Sequence, residues 1–250
     1  MRRILLAGLV LLAAPASLLA QAPQLILPKA SPRATVSQTV GLTDISITYD
    51  RPGVNGRPIW GALVPWDSVW RAGANENTVI AFSSPVRVGD TDVPAGRYGL
   101  HMIPSRPEWT VILSRQANAW GSFSYDPAED AVRVTATPVP GDLHERLAYT
   151  FDDPSDSSVI ATLRWEKLAV PIPIEVDTKA VVVDSLRTQL RGLGRFFWQP
   201  WSQAAAWCAG NGVNLEEATT WADRSIAMNE NFTNLRVKAA PGPAAQDGKA

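Results

Sequence analysis

The sequence has one cysteine, Cys208, and two histidines, His101 and His144. One thiol cannot cross-link its own chain, so stability must come from packing. Two imidazoles far apart in sequence cannot build a histidine-rich metal site unless carboxylates complete it. No HExxH, CxxC or GxSxG signature is present, so no metal and no cofactor is expected. An excess of either charge is also lacking: 23 Lys and Arg stand against 24 Asp and Glu, a formal net charge of −1. That balance supplies no electrostatic footprint for nucleic acid and no polybasic membrane patch. Beyond the first twenty residues, no apolar run is long enough to span a bilayer.

One apolar run does exist, at the start. Residues 1–20, MRRILLAGLVLLAAPASLLA, place two arginines before an apolar stretch that ends in small residues. That order predicts a secretory signal peptide, cleaved after Ala20 or Ala22, and hence an exported, periplasmic or extracellular protein. No cysteine lies near the cleavage point, which excludes lipid attachment there. The remaining chain is long enough to bury a substantial core.

Residues 21–34, with Pro23, Pro28 and Pro32, read as an extended leader. From 35 to 176 the signals are those of short strands. Ile45 and Ile47 alternate with polar neighbours. The turn Val93-Pro94-Ala95-Gly96 leads into Tyr98, Leu100 and Met102 on one face, and Leu147, Tyr149 and Phe151 alternate further on. Val159, Ala161, Leu163 and Trp165 share one face, whereas Val170, Ile172, Ile174 and Val176 share another. Short strands at regular spacing without intervening helices predict a mainly β fold, an antiparallel β-sandwich. Pro171 and Pro173 cannot donate to a ladder, which predicts that the last strand lies at an edge.

Residues 177–238 change character and predict a C-terminal α-helical appendage. Asp177–Arg195 has helical apolar spacing at Val182, Leu186, Leu190 and Leu193. Pro200 must break or start a helix, and Asn214 with Glu217 has the spacing of a capping box. Ala205–Asn229 resembles one tetratricopeptide-type hairpin. A lone hairpin cannot bury both its faces, and about three repeats make a free-standing array. The helices are therefore expected to pack on the sandwich or on a second subunit. Residues 239–250 read as a disordered tail.

The chemistry-bearing segment is Tyr49–Glu76. It concentrates Arg51, Arg57 and Arg71 (with Arg33 upstream), Asp50, Asp67, Glu76, and Trp60, Trp66 and Trp70 among turn-forming residues. In WRAGANEN, Gly73 and Asn75 are the residues suited to positive φ. Two arrangements are open. Arg71, Asn75 and Glu76 can line a polar pocket, with Trp70 and its neighbours offering a stacking face to a small polar or carbohydrate-like ligand. Alternatively, the arginines and Glu76 form an ionic clasp over the end of the sandwich. His101 points away from Leu100 and Met102, as a ligand contact, a general base or a structural histidine. The loop Trp120–Asp126 either closes over the same place or sends Phe123 and Tyr125 into the core. The expected site residues are thus Arg51, Arg57, Trp70, Arg71, Asn75, Glu76 and His101. The leading expectation is a non-catalytic binding module. A hydrolase or isomerase using Glu76 with Asp67 or His101, and a helical docking module for an envelope protein, are the other two.

The blocks RPGVNGR at Arg51–Arg57, WRAGANE at Trp70–Glu76 and PAGRY at Pro94–Tyr98 stand in an order that resembles the DUF2911 family of exported bacterial proteins. The resemblance runs from about Ser31 to Val176. It implies a β-sandwich and export, and it implies that Arg51, Arg57, Trp70, Arg71, Asn75 and Glu76 belong to the family's signature. It implies no activity.

Overall fold

Period-two patterning lays out ten strands: β1 (Arg33–Val40), β2 (Thr43–Asp50), β3 (Val79–Phe82), β4 (Val86–Val88), β5 (Thr91–Val93), β6 (Gly96–Ile103), β7 (Trp109–Ser114), β8 (Asp130–Ala136), β9 (Val139–Asp152) and β10 (Ser158–Glu175). The structure is a computed structural model that describes Leu25 and residues 27–239. The expected signal peptide, and residues 240–250 of the expected tail, lie outside the described residues. The strands form a six-stranded sheet in the order β1-β2-β3-β6-β7-β8 and a four-stranded sheet in the order β5-β4-β10-β9. Their pairings are antiparallel throughout. Alternate residues of the two sheets meet in one core, among them Ile45, Ile47, Leu100, Met102, Val111, Leu147, Tyr149 and Leu163. The expected antiparallel sandwich is the observed architecture.

Three details differ from the expectation. The first strand starts earlier: Arg33 and Ala34, read as leader, already pair with Asp50 and Tyr49. The last strand is not an edge, because β10 lies between β4 and β9. Pro171 and Pro173 are tolerated there because the β9 ladder ends at Ala169, and the described β4 pairing begins at Ile174. Between those points the strand needs no ladder N–H. Finally, the two apolar faces read from residues 159–165 and 170–176 belong, as far as Glu175, to one strand. The β9 ladder shifts register on both sides of Glu166, which sits at φ +54°, and such an irregularity moves the inward set from odd to even positions.

One end of the core is built of indoles. Trp60 and Trp70 from the long β2–β3 connection pack with Trp109 of β7 and Trp165 of β10, at centroid separations of 4.9–5.9 Å. Contacts of this kind contribute roughly 0.5–1.5 kcal/mol per pair beyond burial. They fasten the connection across both sheets.

After β10 the chain turns helical: α1 (Thr178–Arg191), a 3-10 turn (Leu193–Phe196), α2 (Trp198–Asn211), α3 (Leu215–Met228) and α4 (Phe232–Ala239). Asp177 caps α1 by accepting from the Ala180 N–H. Pro200 sits in the first turn of α2, where its missing N–H costs nothing. The helices pack chiefly on one another rather than on the sandwich, one of the two partners expected for them. Val183, Leu190, Trp201, Ala205, Cys208, Ala218 and Trp221 form a second core of their own, whereas Val181 of α1 packs against the sandwich core. Leu193, expected on the packing side, is exposed. Asn214 and Glu217 do not make the expected capping box. Asn214 is left-handed at φ +51°, and its amide donates to the Glu217 carboxylate at 2.9 Å, which also binds Arg187. Among the described residues, no helix is long and apolar enough to cross a membrane.

Candidate functional site

The WRAGANEN loop is an excursion from a strand line. Trp70 exchanges two backbone hydrogen bonds with Met102, both 2.8 Å, and the Leu100 N–H donates to the Thr78 carbonyl at 2.8 Å. Trp70 and Thr78 therefore occupy neighbouring positions along β6, and Arg71–Asn77 is pushed out between them. Ala72 and Asn75 take positive φ, +51° and +54°; Gly73, suited by composition to that role, does not. Glycine is needed at 73 for a different reason, since a Cβ there would stand 2.6 Å from Thr78 Oγ1.

The loop divides the expected site residues into two groups that do different things. Asn75 donates to Asp50 Oδ2 at 2.9 Å, and Arg33 donates to the other oxygen at 3.3 Å. Lys29 lies 2.8 Å from Glu76, and Arg33 reaches the same carboxylate at 3.3 Å. Asp50 is 2 % exposed, so its compensation by these partners decides whether the loop end is stable. The Lys29 hydrogen bond is the chief reason that the Glu76 carboxyl is lowered to about 2. This is the clasp. Arg51 and Arg57 also serve backbone: Arg51 Nε donates to the Leu147 carbonyl at 2.9 Å, and Arg57 donates to the Val54 and Gly53 carbonyls at 3.1 and 2.6 Å. They hold the corner where Gly53 bridges to Arg146 of β9. Trp70 belongs to the indole cluster, with its N–H given to the Gly73 carbonyl at 3.1 Å. Asp67 accepts from Ser105 at 2.6 Å.

Arg71 and His101 form the other group, on the outer face of the six-stranded sheet. His101 pairs across the ladder with Ile112, which is fully buried yet stands outside the main core. The segment from Gln116 to Asp126 covers this patch. Gly99 allows it to come close, because a Cβ there would lie 2.5 Å from the Gln116 carbonyl, 3.0 Å from Asn77 Nδ2 and 3.1 Å from His101 Nε2. Asn77 donates to the Gln116 carbonyl at 3.1 Å, while its buried Oδ1 has no partner among the described residues. Ser122 Oγ lies 2.8 Å from His101 Nδ1. Tyr125 anchors the far end by donating to Asp130 at 2.7 Å, and Arg133 binds the same carboxylate at 3.0 Å. Burial, then the Asp130 bond, push the Tyr125 hydroxyl up to about 12.

The Arg71 guanidinium rests against Gly121, whose φ is +70° and whose absent Cβ would stand 2.2 Å from Nη1. Its Cζ lies 5.8 Å from the Trp120 ring and 5.7 Å from the Phe123 ring. Those two rings are nearly parallel, 5.7 Å apart, and 60 % and 80 % exposed. The loop thus closes beside Arg71, and Phe123 does not enter the core. Among the described residues, Arg71 makes no ion pair, and its buried Nε lacks an acceptor. Burial lowers its pKa. It still carries its charge at neutral pH, and burial together with that charge lowers His101 to about 4.

Trp120, Ser122 and Phe123 join the site from the Trp120–Asp126 loop, whose sequence allows it to close over this place but whose residues are not among the expected site residues, and Asn77 joins it unselected. The aromatic residues around Gly121-Ser122 were the available signal for the loop. Asn77 had none beyond its place at the end of WRAGANEN. A cavity of about 700 Å³ lies elsewhere, between Pro85–Arg87, Asp92, Ser157–Ser158 and Glu175–Asp177. Its Arg87 and Glu175 pair with each other, and none of its lining residues carries a buried unpartnered side-chain atom. Among the described residues, no cluster of three or more His, Cys, Asp or Glu is arranged to hold a metal ion.

Neither the curated proteins nor the solved structures searched contain a match to this chain. The model of a family described as "Protein of unknown function (DUF2911)" matches residues 31–174, so the chain belongs to that family.

Proposed function

We propose that this protein is a non-catalytic binding module for a small polar, carbohydrate-like ligand. The ligand is held at Arg71 beside the Trp120 and Phe123 rings, on the outer face of the six-stranded sheet. One observation carries the reading: Arg71 is a half-buried cation without an ion-pair partner among the described residues, set beside two exposed, nearly parallel aromatic rings. An unpaired guanidinium is a strong donor fork, and aromatic faces grip the apolar side of a sugar ring. Glu76 and Trp70, the other expected contacts, are engaged in the clasp and the indole cluster. The pattern of residues 1–20 supports an exported location for this module. The test is calorimetric titration against a panel of glycans and organic acids. Binding that Arg71→Ala and Trp120→Ala abolish, and that Glu76→Gln leaves intact, supports the module. Absence of any Arg71-dependent binding refutes it.

A hydrolytic reading has one observation behind it, the 2.8 Å contact of Ser122 Oγ with His101 Nδ1, a hydroxyl placed on a base. With its pKa lowered to about 4, His101 is a poor proton acceptor near neutrality. Glu76, lowered to about 2, is no better. Fluorophosphonate labelling of Ser122 is therefore expected to fail; labelling that His101→Ala removes would reverse this preference.

A further inference from the structure

We infer that the ligand of the Arg71 site carries a carboxylate, which makes it an acidic sugar of the uronic-acid class rather than a neutral one. This rests on the binding reading above and narrows it. The acids near Arg71 are already committed. Asp50 and Glu76 bind Lys29, Arg33 and Asn75, and Asp130 binds Arg133 and Tyr125. The fold therefore leaves Arg71 without an ion-pair partner among the described residues, its charge met by the Trp120 and Phe123 rings through cation–π contact, in a place where burial already disfavours the cation. A buried Nε hydrogen without an acceptor adds to that deficit. A planar carboxylate answers the charge, because the two Nη atoms, which are not among the buried unpartnered ones, can receive it through two parallel hydrogen bonds.

The surroundings say what else the ligand carries. Ser122 Oγ, 2.8 Å from His101 Nδ1 on the same covering loop, is a hydroxyl that can exchange a hydrogen bond with a ligand hydroxyl. Trp120 and Phe123 present their rings to solvent next to the guanidinium. Anion, hydroxyls and one apolar ring face on a single small molecule describe a pyranose with a carboxylate at its edge. A free inorganic anion satisfies only the first requirement. A neutral sugar satisfies only the other two.

The experiment is calorimetry on the purified full-length chain with glucuronate and galacturonate, their neutral parents glucose and galactose, and sulfate. The uronates are expected to bind about tenfold or more tightly than the parents, because one charge-assisted fork is lost with the carboxylate. Arg71→Gln should erase that ratio, and Arg71→Lys should keep part of it, the charge surviving without the fork. Trp120→Ala should weaken uronate and parent alike. Circular dichroism of each variant checks the fold, and Arg71→Lys keeps the test open if Arg71→Gln misfolds. Equal binding of acid and parent overturns the inference and leaves the binding module standing. Sulfate binding as tightly as uronate also overturns it. No Arg71-dependent binding by any of these compounds overturns the inference, and the binding module falls with it only if the wider panel of glycans and organic acids also shows none.

Discussion

Asn75 donates to the buried Asp50 carboxylate at 2.9 Å, a bond that joins the tip of the Arg71–Asn77 excursion to the last residue of β2. Asn75 contributes in two ways, since it also occupies a left-handed position at φ +54°, which asparagine tolerates better than most residues. The two contributions separate in a pair of variants. Asn75→Gly keeps the backbone and loses the hydrogen bond, and is expected to cost about 1.5–3 kcal/mol, the range for a bond to a charged group. Asn75→Ala should cost roughly a further 1 kcal/mol for the left-handed backbone. Urea denaturation measures both. Equal losses would mean that the backbone position carries no strain.

Acid should loosen the clasp in a defined window. The folded pKa of Glu76, about 2, lies below its unfolded value, chiefly through Lys29. The contribution is therefore fully present above the unfolded pKa, about 4.3, and is lost as pH falls toward 2. The difference in stability between the natural chain and Glu76→Gln should be constant above about pH 5 and shrink below it. A difference that stays flat down to pH 2 would show that Glu76 is not selectively stabilised in the fold.

His101 acts in the same direction at higher pH. Its folded pKa, about 4, is depressed by burial and by Arg71, so the unfolded chain binds the proton first. Stability is expected to fall as pH drops from about 6.5 to 4, and at full protonation the penalty is on the order of 3 kcal/mol. Histidine NMR titration should find one imidazole titrating near pH 4, and His101→Gln should flatten the stability profile across that window. A His101 resonance titrating near 6.5 would contradict the burial of the imidazole beneath the Gln116–Asp126 segment, to which the Arg71 charge adds.

The helices should prove separable from the sandwich. Their apolar residues form a second core, and the described contacts across the junction include Val181 against the sandwich and the Thr178 hydroxyl on the Asp156 carbonyl, 2.7 Å. A chain ending at Thr178 is expected to keep the sandwich's cooperative unfolding, at a cost of about 1–3 kcal/mol for the lost Val181 packing. Amide NMR spectra overlaid with those of the full chain test this. Loss of dispersed sandwich resonances would show that the helices are part of one folding unit.

How far the fold and site were legible follows from which forces are local. Alternation at Ile45–Ile47 and Tyr98–Met102 determined strand faces, because side-chain direction in a strand depends on neighbours two residues away. The proline pair at 171 and 173 was read correctly as a place without ladder bonds but wrongly as an edge. The gap between the β9 and β4 pairings depends on partner strands that no local pattern names. The same limit explains the helices, whose apolar stripes were visible before their mutual packing was.

The Tyr49–Glu76 segment was recognisable in the sequence as an ordered, charged and aromatic connection, because turn residues and indoles in that proportion suit neither a core strand nor a flexible linker. Only the tertiary structure decided which charges are paired within the fold and which, as at Arg71, have no ion-pair partner among the described residues. Lys29 reaches Glu76 across the β1–β2 hairpin and the long connection. Arg71 meets Gly121 and Trp120 only because Gly99 lets the Gln116–Asp126 segment lie against β6. Ion pairs and pockets are set by distance through space, and the chain's order records that distance only after it has folded.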